Sequence, residues 1–238
     1  MIREYLTSMN QNNKNSATSE MDTHECCLPD VDVMESTDAL NNSDVLKITA
    51  DKKMTTKSQP ETLVICLYGG PGCGKSTTAA GIFFDLKSRG ITCELVTEFC
   101  KDLTWERRYK TFEDQIYIFG KQYHRIHRLM GQVDVIITDS PLLLTPVYDS
   151  EKRPTLEKLA VEEHDKMWTY NAFLKRKKAF NPKGRIHGED HAKEIDTAII
   201  DILMKHEVLF ETFDGTTDGK DAIVKKILML LEWREKGE

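Results

Sequence analysis

The sequence predicts an α/β domain, a mainly parallel five-stranded sheet with helices on both faces, preceded by a disordered N-terminal tail. Three observations predict it. From residue 61 onward, short apolar runs alternate with longer amphipathic stretches, the pattern of strand–helix units joined by right-handed crossovers. A glycine-rich loop, Gly69–Ser76, stands between the first apolar run and the first helical stretch. Residues 1–60, by contrast, contain no glycine and one aromatic, Tyr5.

Each element has its own local reason. Leu63–Tyr68 (LVICLY) is a continuous apolar run of the kind buried on both faces of a parallel sheet. Helical spacing follows over 75–89, with Gly90 placed to end the helix. Ile91–Thr97 reads as the second strand. Ile116, Phe119, Tyr123, Ile126 and Met130 recur at helical spacing over 111–130, and Gly131 follows. Val133–Thr138 (VDVIIT) is the third strand. Pro154 opens a helix running to Trp168, Tyr170–Leu174 is the fourth strand, and His191–Lys205 is a helix. Val208–Phe213 is the fifth strand and Lys220–Trp233 the closing helix. Residues 61–238 thus form one domain.

Residues 1–60 carry ten acidic against six basic residues and runs such as NQNNKN. So few large apolar groups cannot offset an ordering entropy of roughly 1–2 kcal/mol per residue. The segment reads as a low-complexity tail, an appendage or a partner-binding region, with Met54 a candidate internal start.

Composition narrows the function. Of 238 residues, 39% are hydrophobic and 30% charged, and no apolar run approaches the roughly 20 residues that cross a bilayer. The start, MIREYLTSMNQNNKN, has no apolar signal core. Six cysteines without CxxC or Cys/His zinc spacing suit a reduced, cytoplasmic protein rather than a disulfide scaffold. A net charge of −6 argues against an electrostatic nucleic-acid coat, though not against a local basic groove. The expected partner is a small molecule, not a membrane; oligomeric state is not legible.

The loop Gly69-Gly70-Pro71-Gly72-Cys73-Gly74-Lys75-Ser76, followed by Thr77, fits G-x-x-x-x-G-K-[ST], the Walker A pattern. Triphosphate oxygens need backbone N–H donors around them, and glycine lets the chain curl that close. A helix starting at Lys75 aims its open amides and positive dipole end at the same phosphates. Lys75 adds a charge for the β- and γ-phosphates, Ser76 a hydroxyl for Mg²⁺, and Thr77 a group for the α-phosphate. Asp139, directly after the third strand, is the expected magnesium-side acid, or else a cap for the Ser140-Pro141 turn. The cofactors implied are Mg²⁺ and ATP, with GTP also possible. The absence of N-K-x-D argues against a typical GTPase.

Taken together, GGPGCGKSTTAAGIFFDLKSRG, ELVTEFCKDL, EDQIYIFGKQYHRIHRL and VDVIITDSPLLL resemble the AAA-like P-loop domain shared with the nicotinamide-riboside kinase part of NadR. Stand-alone phage-encoded proteins resemble it too, which would place the chain in a host cytoplasm. The resemblance implies a P-loop NTPase three-layer sandwich and a kinase activity. The layout is also similar to deoxynucleoside kinases, in which a Glu closing the second strand deprotonates the acceptor hydroxyl. Thr97-Glu98-Phe99 stands at that place, whereas Asp139-Ser140-Pro141 lacks the Arg those kinases carry after the acid.

Glu98 is therefore the candidate for acceptor recognition or general base, against an ordinary surface glutamate. Asp102 would share its face if a helix has begun there. Trp105, Arg107 and Arg108 are either a base-stacking, phosphate-holding cluster or, for Trp105, core. The densest basic stretch, 175–185, falls where small kinases carry a lid. Arg176 and Arg185 are its preferred catalytic residues because guanidinium grips phosphate bidentately. A solvated charge run or a nucleic-acid contact would look the same. His124, His127, His187 and His191 suggest no structural metal.

The reading is an ATP-dependent phosphotransferase acting on a nucleoside, nucleotide or related ribosyl acceptor. Two alternatives stay open: a kinase of polynucleotide 5′-hydroxyls or modified bases, and a non-catalytic ATP- or GTP-binding switch.

Overall fold

Strand β1 (Leu63–Tyr68) forms the centre of the sheet. In the computed structural model, which describes residues 62–177 and 189–236, it lies between β3 (Val135–Thr138) and β4 (Trp168–Lys175). Beyond these, β2 (Cys93–Val96) pairs with β3 and β5 (Glu211–Asp214) with β4. The order is β2-β3-β1-β4-β5 and every pairing is parallel.

Among the described residues there are seven α-helices. They are α1 (Lys75–Ser88), α2 (Phe99–Trp105), α3 (Gln115–His127), α4 (Thr145–Tyr148), α5 (Pro154–Asp165), α6 (Glu189–Lys205) and α7 (Thr217–Lys236). The period of two in LVICLY feeds two cores. Leu63, Ile65 and Leu67 pack with Ile82 and Leu86 of α1 and Ile223, Ile227 and Leu230 of α7. Val64, Cys66 and Tyr68 pack with α3, α5 and α6 through Phe119, Leu156, Ile195 and Ile199. Cutting back one such fully buried residue, Ile65 to alanine, would cost about 2–5 kcal/mol. Burial also pushes the Cys66 thiol up to about 12, so it is a small core hydrophobe rather than a nucleophile.

The boundaries differ from the sequence expectation in instructive places. The stretch 111–130 divides into a 3₁₀ turn, Tyr109–Glu113, and α3. The Asp114 carboxylate accepts from the Tyr117 N–H at 3.0 Å and so starts the helix later. The Val208 N–H donates to the Leu203 carbonyl at 2.9 Å, closing the end of α6, and the last strand begins only at Glu211. The apolar run after Pro141 forms a 3₁₀ turn, Leu142–Leu144, and then α4.

No helix among the described residues is long and apolar enough to cross a membrane. The expected tail, 1–60, and the part of the basic stretch from Lys178 to Arg185 lie outside the described residues.

Candidate functional site

The strand order decides which chain ends meet. With β1 beside β3 and β3 beside β2, the loops leaving all three strands open on the same carboxyl edge. The glycine-rich loop, Asp139 and Glu98 therefore become neighbours.

The loop after β1 curls through three glycines with positive φ: Gly69 (+129°), Gly72 (+89°) and Gly74 (+106°). A side chain at Gly69 would also meet the Cys73 sulfur at 2.6 Å. Cys73 itself is buried and acts as the loop's inner anchor. Gly74 is the N-cap of α1 and offers no side-chain cap, which leaves the first-turn amides of Lys75, Ser76 and Thr77 open to an anion. Lys75 Nζ reaches back over the loop, donating to the carbonyls of Gly69 at 2.5 Å and Gly70 at 3.1 Å. A positive charge is thus held across the mouth of a nest of N–H groups.

Asp139, 1% exposed, follows β3. Its Oδ1 accepts from the backbone N–H of Glu98 at 2.9 Å, and its Oδ2 accepts from Lys101 Nζ at 3.3 Å. The same Lys101 ammonium donates to Ser76 Oγ. Two hard oxygen groups, a buried carboxylate and a hydroxyl, therefore converge on one cationic point. That donor set suits Mg²⁺, which takes one or two protein oxygens and completes its shell with water and phosphate.

Glu98 is half-buried at the N-cap of α2. Burial raises its carboxyl above the ordinary range; the Lys75 charge opposes the rise, Asp139 adds to it and Lys101 opposes it. Its position is held from α3. Gln122 Oε1 accepts from the Phe99 N–H at 3.0 Å, and Gln122 Nε2 reaches Thr138 Oγ1 at 3.5 Å. Arg125 donates to the Thr97 carbonyl at 3.2 Å, stacks over the Phe99 ring at 5.1 Å and pairs with Asp102. A helix has indeed begun at Asp102, but its carboxylate is taken up in tying α2 to α3.

Beyond α2 lies an open groove of about 630 Å³, lined by Arg108, Lys110, Thr111, Asp114, Tyr117 and Arg153 among others. Tyr117 packs edge-on against Phe99, beside Glu98, with ring centroids 5.6 Å apart. Arg108 lines this groove, paired with Glu106. Trp105 is 81% exposed, so it is not core. From α4, Tyr148 faces the site. Burial and then the charges of Glu98 and Asp196, among others, push its phenol upward, so it stays protonated.

On the β4 side, Asp196 of α6 joins two parts of the site. Its Oδ1 accepts from the Gly70 N–H at 2.5 Å, and its Oδ2 accepts from Arg176 at 3.0 Å. Arg176 is thereby docked against the phosphate loop. Lys177 turns the other way and pairs with Asp214 at 3.3 Å.

A family model described as an AAA domain matches residues 64–218. The chain belongs to that family. Within the AAA domain the match runs from β1 through the phosphate loop and Asp139 to the start of α7. No curated protein matches. Among solved structures, a deoxyadenosine kinase from M. mycoides is 18% identical, over 73% of this chain and 99% of that one, with a TM-score of 0.45. A shikimate kinase from Bacteroides thetaiotaomicron is 16% identical over 71% and 98%, at 0.38. A gluconokinase from Sinorhizobium meliloti is 13% identical over 76% and 97%, at 0.37.

The AAA domain brings together Lys75, Ser76, Glu98 and Asp139 on one edge and places Arg176 against the loop. Sequence reasoning missed Lys101, Gln122, Arg125, Tyr148 and Asp196. Lys101 carried a faint signal, three residues beyond Glu98 and so close to one helical turn from it. Asp196 carried none, because its partner Gly70 is 126 residues away.

Proposed function

We propose that the protein is a P-loop kinase that transfers the γ-phosphoryl group of ATP to a hydroxyl of a nucleoside, nucleotide or related ribosyl acceptor. The observation that carries this reading is the bond from the Glu98 N–H to Asp139. It brings Glu98 beside Asp139 at the carboxyl edge that also carries the Lys75 loop, which supports an acceptor-side role for the Glu98 carboxylate.

In this mechanism the loop amides of Gly69–Ser76 and Thr77 hold the donor phosphates, and Lys75 neutralises the β- and γ-oxygens. Ser76 and Asp139 would hold Mg²⁺, which supplies further charge neutralisation on those oxygens. The Glu98 carboxylate accepts the proton of the acceptor hydroxyl as its oxygen bonds to the γ-phosphorus. The bond from that phosphorus to the bridging oxygen breaks, and ADP leaves with the electron pair. Arg176, and Arg185 from the basic stretch, neutralise the charge spread over the transferring group. The groove beside Tyr117 takes the remainder of the acceptor.

The test is acceptor-dependent ADP release, followed with a coupled assay on the full chain. Release that rises with one nucleoside-type acceptor and collapses in Glu98→Gln supports the reading. Release indifferent to every acceptor would make the protein a hydrolase or a switch.

A further inference from the structure

Lys101 stands out because its ammonium is bound by the two groups that the proposed function assigns to magnesium. It donates to Ser76 Oγ from α1 and to Asp139 Oδ2, at 3.3 Å, from the end of β3. These partners are 25 and 38 residues away in sequence, so the contact is made by the fold and not by helix geometry. The Asp139 carboxylate is 2% exposed, whereas the Lys101 side chain is 46% exposed. One end of the pair is fixed and buried; the other rides on a four-carbon stem with open access to solvent.

We propose that Lys101 is a tethered cation that competes with Mg²⁺ for Ser76 and Asp139. Mg²⁺ needs its oxygens at about 2.0–2.1 Å in near-octahedral array, so the same two groups cannot serve an ammonium and the metal together. Two cations crowded against one carboxylate also repel. The metal therefore enters by displacing Lys101 into solvent. Ser76 and Asp139 alone supply too few oxygens to drive that exchange, and the β- and γ-oxygens of a nucleotide supply the rest. Lys101 thus makes metal binding conditional on nucleotide, so the divalent cation arrives with the phosphates rather than ahead of them. The inference rests on the assignment of Ser76 and Asp139 as metal ligands.

The experiment is a titration of the nucleotide-free full chain with Mn²⁺, read by electron paramagnetic resonance. Lys101→Met and Lys101→Gln remove the charge at a half-exposed position, with circular dichroism confirming the fold. Both should bind Mn²⁺ up to about fivefold more tightly than wild type, the scale of one partly exposed ion pair. Asp139→Asn added to Lys101→Met should erase the gain. Mn²⁺ affinity that is unchanged or weaker in both neutral variants overturns the proposal. Fluorescent ADP binding separates the two levels. If wild type binds ADP in a Mg²⁺-dependent, Lys75-dependent way while the neutral variants gain no Mn²⁺ affinity, only the role of Lys101 fails. If wild type shows no such binding, the phosphate-loop reading fails and takes this inference with it.

Discussion

The backbone N–H of Glu98 donates to the side chain of Asp139 at 2.9 Å, across 41 residues of sequence. That bond ties the end of β2 to the end of β3, because the sheet places these strands side by side. The bond uses the Glu98 amide and not its carboxylate, which on the proposed reading serves the acceptor while Asp139 serves the magnesium.

Glu98→Gln should therefore lower turnover by about 10²–10⁴-fold, the usual contribution of a positioned base, with ADP affinity unchanged. Steady-state kinetics beside ADP titration would show the split. A parallel loss in both would instead mark Glu98 as a structural brace.

The same residue gives a pH prediction with a definite sign. Burial raises the folded-state pKa of Glu98 above the ordinary value of 4.5, so the native state binds more protons than the unfolded chain just above that pH. Its contribution to stability is present below 4.5 and is lost as pH rises through the raised value. Turnover, which needs the carboxylate, should rise over that same window. Melting curves of wild type and Glu98→Gln across pH are expected to coincide in acid and diverge towards neutrality, with the glutamine variant the more stable.

Lys75→Ala should abolish transfer while leaving the fold intact. Its ammonium bonds the Gly69 and Gly70 carbonyls at the surface of the loop, and no core contact depends on it. A loss of at least about 10²-fold is expected from removing one preorganised charge. Circular dichroism and a transfer assay together check both halves of the statement.

Gly215 offers a test remote from the chemistry. It follows β5, and a methyl group there would meet the Cys73 carbonyl oxygen at 2.0 Å, within the phosphate loop. Gly215→Ala must push the loop backbone aside. It should cost about 1–3 kcal/mol of stability and weaken ADP binding, whereas Gly120→Ala, where nothing lies within 4 Å, should do neither.

The central strand, the phosphate loop and the position of Asp139 at the end of β3 are legible in the sequence because their patterns are local. LVICLY is a short apolar run closed by Gly69-Gly70, the signature of a buried strand, and the glycines, Lys75 and Ser76 sit within one octet. The supports were not legible. Gln122, Arg125 and Asp196 act through partners that sheet order and helix packing bring close, at separations from 16 to 126 residues. Helix α2 is too short for a periodic signal, and β5 is a four-residue edge strand whose apolar neighbours, Val208 and Phe210, belong to the core beneath α6. Arg176 was singled out for its charge, but its docking on Asp196 is a property of the fold.

The most direct measurement is transfer from γ-phosphate-labelled ATP. The full chain would be incubated with Mg²⁺ and a panel of nucleosides, nucleotides, nicotinamide riboside and 5′-hydroxyl oligonucleotides. The account predicts label on a small ribosyl acceptor, lost in both Lys75→Ala and Glu98→Gln. Firm Mg²⁺-dependent ATP binding with no label on any acceptor, or label on oligonucleotides alone, would contradict it.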